Sequence, residues 1–323
     1  MRMIQPFGHR LSRTISTGNI RIRDPYIVAD KETKQYFLFG TTDSDPWNGE
    51  GEGFKVYRSE NLEEWVEEGY AFRPPQNFWA NKNFWAPEVH KYLGKWYLIA
   101  SFYAEGHHRG VQIFRSENII GPYTAISDKP VTPAEWDCLD GTLYVENGIP
   151  CLIFSHEWTQ IHDGAICAVE LTEDLTAAKG DPVVLFHATD ASWSVPDTGD
   201  VVQAEGENYV TDGPFLFHEN GVLKMLWSSF AQEGYALGTA YSLGGSIRGP
   251  WRQNPEPTCP FGGHGMLFED FSGRRLLALH APNTSGMERL RLITWNSVTI
   301  PQDSDLGQYL AKAYMEVKRR PIY

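Results

Sequence analysis

A two-strand pattern recurs five times along the 323-residue chain, and it constrains the fold more than any other feature. In each copy a polar residue opens a short apolar strand, a turn follows, and a second β-branched or aromatic strand returns. The turns include Leu93-Gly94, Asn147-Gly148, Asn220-Gly221 and Ser272-Gly273. Such pairs are typical of tight hairpins, whose central residues need positive φ. A third strand follows in every copy, so the repeating unit is a small antiparallel sheet.

The spacing of the copies predicts how these sheets are arranged. The copies open at Asp24, Glu88, Asp140, Asp212 and His264, which gives spacings of 64, 52, 72 and 52 residues, with a mean of 60. Three or four strands in about 60 residues, repeated five times, predict an all-β, five-bladed β-propeller with four-stranded blades. A β-sandwich needs no such period. We expect residues 1–323 to form one propeller domain with a short C-terminal tail at about 303–323, where residues 306–320 fit either a helix or a strand.

Charge and composition exclude several classes of partner. The chain carries 28 basic and 41 acidic side chains, a net charge of −13, so nucleic acid is not an expected partner. It has no apolar run long enough to cross a membrane, and its first 19 residues lack the apolar stretch of a secretory signal. These features predict a cytoplasmic protein. The four cysteines show no CxxC spacing, and we expect reduced, buried thiols.

The five residues that open the copies are the candidate functional residues. In a propeller the first strand of every blade lines the central channel, so Asp24, Glu88, Asp140, Asp212 and His264 are expected to converge near the axis. Four carboxylates and one imidazole in a small volume repel one another, and a purely structural channel would avoid that cost. The cluster therefore indicates catalysis or cation binding.

Paired carboxylates favour glycoside hydrolysis by inversion. One carboxylate deprotonates water, one protonated carboxyl donates to the leaving oxygen, and a third nearby carboxylate raises the pKa of the donor. Aromatic faces pack on sugar rings, and 43 residues of this chain are Trp, Tyr or Phe. Trp79, Trp85, Trp158 and Trp193 lie on or beside the predicted site strands. The expected partner is an oligosaccharide.

Five motifs, in order, resemble the blade-opening motifs of glycoside hydrolase family 43 over about residues 20–300. They are Arg23-Asp24-Pro25-Tyr26, Trp85-Ala86-Pro87-Glu88-Val89, Leu139-Asp140-Gly141, Thr211-Asp212-Gly213-Pro214 and Gly263-His264-Gly265. The resemblance implies a five-bladed propeller and inverting hydrolysis of arabinose- or xylose-containing saccharides. It implies Asp24 as general base and Asp140 as the residue that tunes the pKa of the acid.

The chain departs from this family at the acid. The family has Glu before Gly-Pro, whereas this chain has the shorter Asp212, which we expect to be the acid, with Glu157 as the alternative. His264 matches a histidine that in the family helps to hold a calcium ion or a water cluster. No cofactor is expected to be required, although a structural calcium in the central channel is an expectation of the resemblance. The remaining candidate substrate-binding residues are Trp85, Glu88, His156, Glu157 and Arg289.

Three other functions fit part of the sequence pattern. A retaining fructan hydrolase carries Arg-Asp-Pro in the middle of the chain, but here the motif comes first and is not repeated. A phosphorylase needs a cluster of basic residues at the channel, whereas this channel is predicted to be acidic. A carbohydrate-binding propeller without catalysis is made plausible by Asp212 in place of Glu. We favour an α-L-arabinofuranosidase-like enzyme, while sugar, linkage, and endo or exo action stay open.

Overall fold

A computed structural model describes residues 14–197 and 206–295, and in those residues five antiparallel sheets form the blades of a β-propeller. The predicted all-β, five-bladed fold is confirmed. The predicted tail at 303–323, with the undecided segment 306–320, lies outside the described residues.

The strands follow the chain from blade to blade. Blade 1 contains β1 (Thr14–Ser16), β2 (Arg23–Asp30), β3 (Gln35–Thr41), β4 (Phe54–Ser59) and β5 (Glu64–Phe72). Blade 2 contains β6 (Lys82–Tyr92), β7 (Lys95–Tyr103), β8 (Gly110–Ser116) and β9 (Thr124–Ala125). Blade 3 contains β10 (Cys138–Glu146), β11 (Ile149–His156), β12 (Ala165–Leu171) and β13 (Ala178–His187).

The last two blades and the few helical turns complete the described chain. Blade 4 contains β14 (Asp212–Glu219), β15 (Val222–Ala231), β16 (Gly234–Ser242) and β17 (Trp251–Gln253). Blade 5 contains β18 (Gly263–Glu269), β19 (Arg275–Ala281) and β20 (Arg289–Thr294). The helical segments are α1 (Trp158–Ile161) and two 3₁₀ turns at Thr17–Asn19 and Ala188–Asp190.

The first strands of the blades form the inner ring. β2 contacts β6 and β18, β10 contacts β6 and β14, and β14 contacts β18, so β2, β6, β10, β14 and β18 surround the axis. The ring closes where the start of blade 1 meets blade 5. There the Ile22 N–H donates to the Glu288 carbonyl, and the backbones of Arg21 and Arg289 form an isolated antiparallel β-bridge. Side chains on these five strands therefore share one channel.

Apolar packing between the blades holds the ring together. Both faces of a blade are covered by neighbouring blades, which explains continuous apolar runs such as Tyr36-Phe37-Leu38-Phe39 in β3. Between blades 1 and 2 the rings of Phe54, Phe72 and Phe102 contact one another at centroid distances of 5.7–6.0 Å. Truncation of one such ring to alanine typically costs about 3–5 kcal/mol.

Local features agree with the sequence predictions. The turn residues Asn147 and Asn220 have φ of 52° and 51°, and glycines follow them at 82° and 77°. The four cysteines are free and buried, as predicted. No helix in the described residues is long and apolar enough to span a membrane.

Candidate active site

A bulge near the start of each inner strand turns one residue toward the channel. At each bulge two residues of the inner strand have no regular partner on the second strand, and the first of the two adopts a positive φ. These residues are Asp24 (51°), Ala86 (48°), Asp140 (56°), Gly213 (52°) and His264 (48°). Bulges next to active sites often re-aim a side chain in this way.

The bulges correct the predicted alignment of the five opening residues. Asp24, Asp140 and His264 do occupy equivalent positions, but Glu88 lies two residues beyond the equivalent Ala86, and Asp212 lies one residue before Gly213. The acidic residue type was the wrong guide, because an acid can precede or follow the bulge. The prolines Pro25, Pro87 and Pro214 were the better signal, since each directly follows a bulge residue.

Hydrogen bonds between neighbouring blades fix the bulges. In four blades the N–H of the bulge residue donates to a side chain at the end of the second strand of the preceding blade. The pairs are Ala86 to Thr41 Oγ1 (2.8 Å), Asp140 to Ser101 Oγ (2.8 Å), His264 to Ser228 Oγ (2.8 Å) and Asp24 to His280 Nδ1 (3.2 Å).

Blade 4 is the exception to this rule. The Gly213 N–H donates instead to the Asp140 carboxylate Oδ2 at 3.0 Å, and the buried Ser155 Oγ, at the equivalent position of blade 3, has no hydrogen-bond partner among the described residues. The φ of 52° at Gly213 favours glycine, and a Cβ there would lie 2.7 Å from the His264 ring. This exception brings the backbone of blade 4 onto a carboxyl of blade 3.

The bulges open into a pocket of about 330 Å³ at one end of the channel. Six of the sequence-predicted residues line it: Asp24, Trp85, Asp140, Glu157, Asp212 and His264. Aromatic side chains form much of its wall: Trp47, Trp85, Trp158, Phe230 and Tyr235. Of the other tryptophans named from the sequence, Trp79 bonds Gln112 and Trp193 packs in the core between blades 3 and 4.

Asp24 lies on the pocket floor among positive and hydrogen-bonding groups. Its Oδ2 accepts a hydrogen bond from Thr41 Oγ1 at 2.6 Å, and its Oδ1 lies 3.3 Å from His264 Nδ1. The charges of His264 and Arg23 hold the pKa of this carboxyl below its usual value, against the opposing effect of burial. Asp24 is therefore ionised at neutral pH and can accept a proton.

Asp140 and Asp212 are shifted in the other direction. Burial and then the charge of Asp24 raise the pKa of Asp140 well above its usual value. Burial and then the proximity of Asp140 raise the pKa of Asp212 to about 8. The hydroxyl of Tyr235 donates to Asp212 Oδ2 at 2.9 Å. The pocket thus holds one ionised carboxylate, Asp24, and one carboxyl, Asp212, that retains a proton at neutral pH.

Glu157, the alternative acid, is bound to a permanent cation. Its carboxylate forms an ion pair with Arg109, whose guanidinium also donates to Asn83 Oδ1 at 3.1 Å and stacks on the Trp85 ring at 4.3 Å. A carboxylate engaged in this way anchors Arg109 and the adjoining pocket wall. Asp212, which the structure places beside Asp140, has the better environment for a proton donor.

Three predicted substrate-binding residues do not line the pocket. Glu88 lies deeper in the channel and bonds His90 Nε2 at 2.8 Å. His156 stacks on Trp136 at 4.1 Å and bonds Gln160, and Arg289 bonds backbone carbonyls beside β20. These three side chains lie outside the pocket and bond other groups of the protein. The spacing of the repeats did not show on which side of the strands they would lie.

His264, the predicted metal ligand, faces two carboxylates. Its Nδ1 lies 3.3 Å from Asp24 Oδ1 and 3.5 Å from Asp140 Oδ2. Calcium prefers roughly six to eight oxygen ligands, and the described residues contain no group of three or more His, Cys, Asp or Glu placed to hold a metal. The structural calcium stays a prediction from the sequence resemblance.

Several pocket residues were missed by the sequence reasoning. Trp47 lies in the glycine-rich loop after β3, and Tyr235 and Asn283 lie in or beside blades 4 and 5. Arg23 belongs to the first blade-opening motif, but the sequence predicted no function for it. In the structure its guanidinium donates hydrogen bonds to Asn283 Oδ1 at 2.8 Å and to the Glu288 carboxylate at 3.0 Å. The loop that contains Trp47 is not part of the repeating strand pattern, so its Gly-rich composition is the one sequence signal that could have indicated this residue.

Two solved structures share this fold. The chain is 39% identical to a solved endo-arabinase from Bacteroides thetaiotaomicron VPI-5482, covering 87% of this chain and 96% of that one, with a TM-score of 0.80. A solved α-L-arabinofuranosidase from Lactobacillus brevis shares the fold at 19% identity, with a TM-score of 0.64 over 87% of this chain and 94% of that one.

A curated relative and a family model complete the comparison. The chain is 25% identical over 229 residues to "Alpha-L-arabinofuranosidase 43" of Humicola insolens, which covers 67% of this chain. The chain spans 42% of the length of that relative. The model for glycosyl hydrolases family 43 matches residues 15–300. With this match across the propeller that carries the carboxyl pocket, the chain belongs to glycosyl hydrolase family 43.

Proposed function

We propose that this protein hydrolyses terminal α-L-arabinofuranosyl linkages with inversion of configuration. The observation that carries the proposal is that three carboxyls with differently shifted pKa values line one pocket. Asp24 has a lowered pKa, whereas Asp140 and Asp212 have raised ones. Pairs of carboxyl groups whose environments separate their pKa values are the usual base and acid of such enzymes.

The proposed reaction consumes one water molecule. Asp24 gains one proton and Asp212 loses one. Asp24 accepts a proton from water while the water oxygen attacks the anomeric carbon. Asp212 donates its proton to the glycosidic oxygen as the bond from that oxygen to the anomeric carbon breaks. The sugar leaves with inverted configuration, and proton exchange with solvent restores both groups. Burial, and after it the proximity of Asp140, raise the pKa of Asp212 and so keep it protonated before the reaction.

The substrate assignment rests on the pocket and on the relatives. A volume of about 330 Å³ is at the small end of ligand pockets and suits a terminal sugar with its neighbour. Trp47, Trp85 and Trp158 offer apolar faces to sugar rings. The named relatives act on arabinose-containing saccharides, which supports an arabinofuranosyl rather than a xylosyl substrate.

Hydrolysis of 4-nitrophenyl α-L-arabinofuranoside and 4-nitrophenyl β-D-xyloside tests the assignment. We expect release of nitrophenol from the arabinoside, at a rate independent of added phosphate. Hydrolysis of the xyloside alone would contradict the arabinofuranosyl assignment. A requirement for phosphate would contradict hydrolysis itself.

An endo-acting arabinanase is the second candidate, because the relative with 39% identity is an endo-arabinase. Products from linear α-1,5-arabinan separate the two. Exo action releases arabinose from the first time point, whereas endo action first releases oligosaccharides of mixed length and rapidly lowers the viscosity.

A further inference from the structure

Tyr235 contacts the proposed acid from β16, two strands away from Asp212 in the same blade. Its side chain is buried, with 6% of its surface exposed, and its hydroxyl donates to Asp212 Oδ2 at 2.9 Å. The carbonyl oxygen of a neutral carboxyl is its better acceptor, so this bond favours Oδ2 as the carbonyl oxygen and Oδ1 as the oxygen that carries the proton. The bond therefore sets which oxygen of Asp212 delivers the proton.

His280 contacts the proposed base from β19. It is fully buried, and its Nδ1 accepts the Asp24 N–H at 3.2 Å. Its Nε2 lies 3.2 Å from Asn283 Oδ1, an acceptor, so Nε2 carries the ring proton. Burial lowers the pKa of His280 to about 3, so the ring stays neutral and keeps this tautomer during catalysis.

The two rings are stacked on one another, with centroids 5.6 Å apart and planes inclined by 20°. We propose that Tyr235 and His280 are paired positioning residues that fix the carboxyl of Asp212 relative to the backbone of Asp24. The roles of acid and base in this statement rest on the proposed function. One end of the stack holds the acid side chain, and the other end holds the bulge that presents the base.

The choice of residue at the blade junctions supports this role. The positions equivalent to His280 are Thr41, Ser101, Ser155 and Ser228, all small hydroxyl residues. A hydroxyl there is sufficient to accept the N–H of a bulge residue, as Ser101 and Ser228 do. The junction that carries the base has instead a ring large enough to reach Tyr235.

The hydrogen bond from Tyr235 also changes strength during the reaction. It is made to a neutral carboxyl before proton transfer and to a carboxylate afterwards, and bonds to ionised acceptors are roughly twice as strong. Tyr235 therefore assists departure of the proton from Asp212. The effect of Tyr235 on the rate should be largest for poor leaving groups, because their oxygen must be protonated as the bond breaks.

Tyr235→Phe removes the hydroxyl and keeps the ring. Tyr123→Phe is the matched control, because Tyr123 is also buried and donates one hydrogen bond, to the Ile119 carbonyl, far from the pocket in blade 2. With aryl α-L-arabinofuranosides of graded leaving-group pKa, we expect Tyr235→Phe to lose roughly 10- to 100-fold in kcat/KM for the poorest leaving groups and little for the best. Tyr123→Phe should match the wild type throughout the series.

An infrared measurement tests the contact without any substrate. The protonated carboxyl of Asp212 has a C=O stretch that a hydrogen bond to Oδ2 lowers, and the band is assigned by its loss in Asp212→Asn. We expect the band at higher frequency in Tyr235→Phe and unchanged in Tyr123→Phe. If the wild type hydrolyses no arabinoside, the proposed function fails, and this band still decides whether Tyr235 holds Asp212. An unmoved band in Tyr235→Phe overturns the positioning role.

His280→Asn tests the pairing. The Asn amide oxygen can replace Nδ1 as acceptor for the Asp24 N–H, but the stack with Tyr235 is lost. We expect the leaving-group dependence to steepen in the same direction as in Tyr235→Phe. Equal losses for every leaving group would contradict the pairing, because His280 would then act on the base alone.

Discussion

At the scale of single residues, Asp212 differs from the other two pocket aspartates in its position relative to the bulge. Asp24 and Asp140 lie at the bulges, whereas Asp212 lies one residue before Gly213 and remains partly exposed to the pocket. Tyr235 then fixes the short side chain by a hydrogen bond to Oδ2. We infer that the surroundings of Asp212 are adapted to its length, so Asp212→Glu should lower activity.

The pH dependence follows from the two shifted carboxyls. Loss of the proton from Asp212, whose pKa is about 8, should set the alkaline limb of kcat/KM near pH 8. The acidic limb should lie below the usual pKa of an aspartate, because the pKa of Asp24 is lowered. Asp140, His264, Tyr235 and Asp24 all face Asp212.

Asp140→Asn should move the alkaline limb to lower pH. The Asp140 carboxyl raises the pKa of Asp212, so a neutral amide lets that pKa fall and the acid loses its proton earlier. Profiles of kcat/KM between pH 4 and pH 10 measure the shift. An alkaline limb that stays in place would exclude Asp140 as the tuning residue.

Asp212→Asn and Glu157→Gln separate the two candidate acids. Loss of the proton donor should harm natural oligosaccharides at least about 10²-fold, but activated aryl glycosides much less, because their phenolate leaves without protonation. Glu157→Gln should affect both substrate types alike, since its carboxylate anchors Arg109. The reverse pattern would assign the acid role to Glu157.

At the scale of strands and blades, the bulges and their junction hydrogen bonds decide which side chains reach the pocket. Four bulge N–H groups donate to a side chain on the second strand of the preceding blade, whereas the Gly213 N–H donates to Asp140 on the first strand of the preceding blade. Of the three buried serines at equivalent positions, Ser101 and Ser228 each accept such a bond, and Ser155 Oγ has no partner among the described residues.

Ser228→Ala should destabilise the fold more than Ser155→Ala. The first substitution leaves the buried His264 N–H without an acceptor, which costs about 1–3 kcal/mol. The second removes a buried hydroxyl that has no partner, and the free energy of unfolding should change by less than about 1 kcal/mol. Urea denaturation of the two variants compares them directly, and equal losses would contradict the junction scheme.

The sequence predicted the repeat well and the register of the bulges poorly. Hairpin turns and alternating apolar runs depend on local chemistry, so Asn147-Gly148 and Asn220-Gly221 were placed correctly. Whether Glu88 reaches the pocket depends on where the bulge falls in the pairing of β6 with β7, which the residue types of β6 alone do not show. Trp47, part of the aromatic pocket wall, lies in the loop between β3 and β4. This loop is outside the repeating strand pattern, so the repeat could not predict its position.

At the scale of the whole molecule, the propeller brings together residues that are distant in the chain. Asp24 and His280 are 256 positions apart, and Arg23 bonds Glu288 where blade 1 meets blade 5. Closure of the ring therefore assembles the base, and the activity should be lost together with the fold in denaturant. A cytoplasmic location stays a prediction from the sequence.

The stereochemistry of the first product tests the central claim, a single displacement with Asp24 as base and Asp212 as acid. Proton NMR of the reaction with an α-L-arabinofuranoside, recorded before mutarotation, distinguishes the two anomers of the released sugar. The account predicts β-L-arabinofuranose as the first product and no first release of the α anomer. Initial release of α-L-arabinofuranose would show retention of configuration and contradict the proposed mechanism.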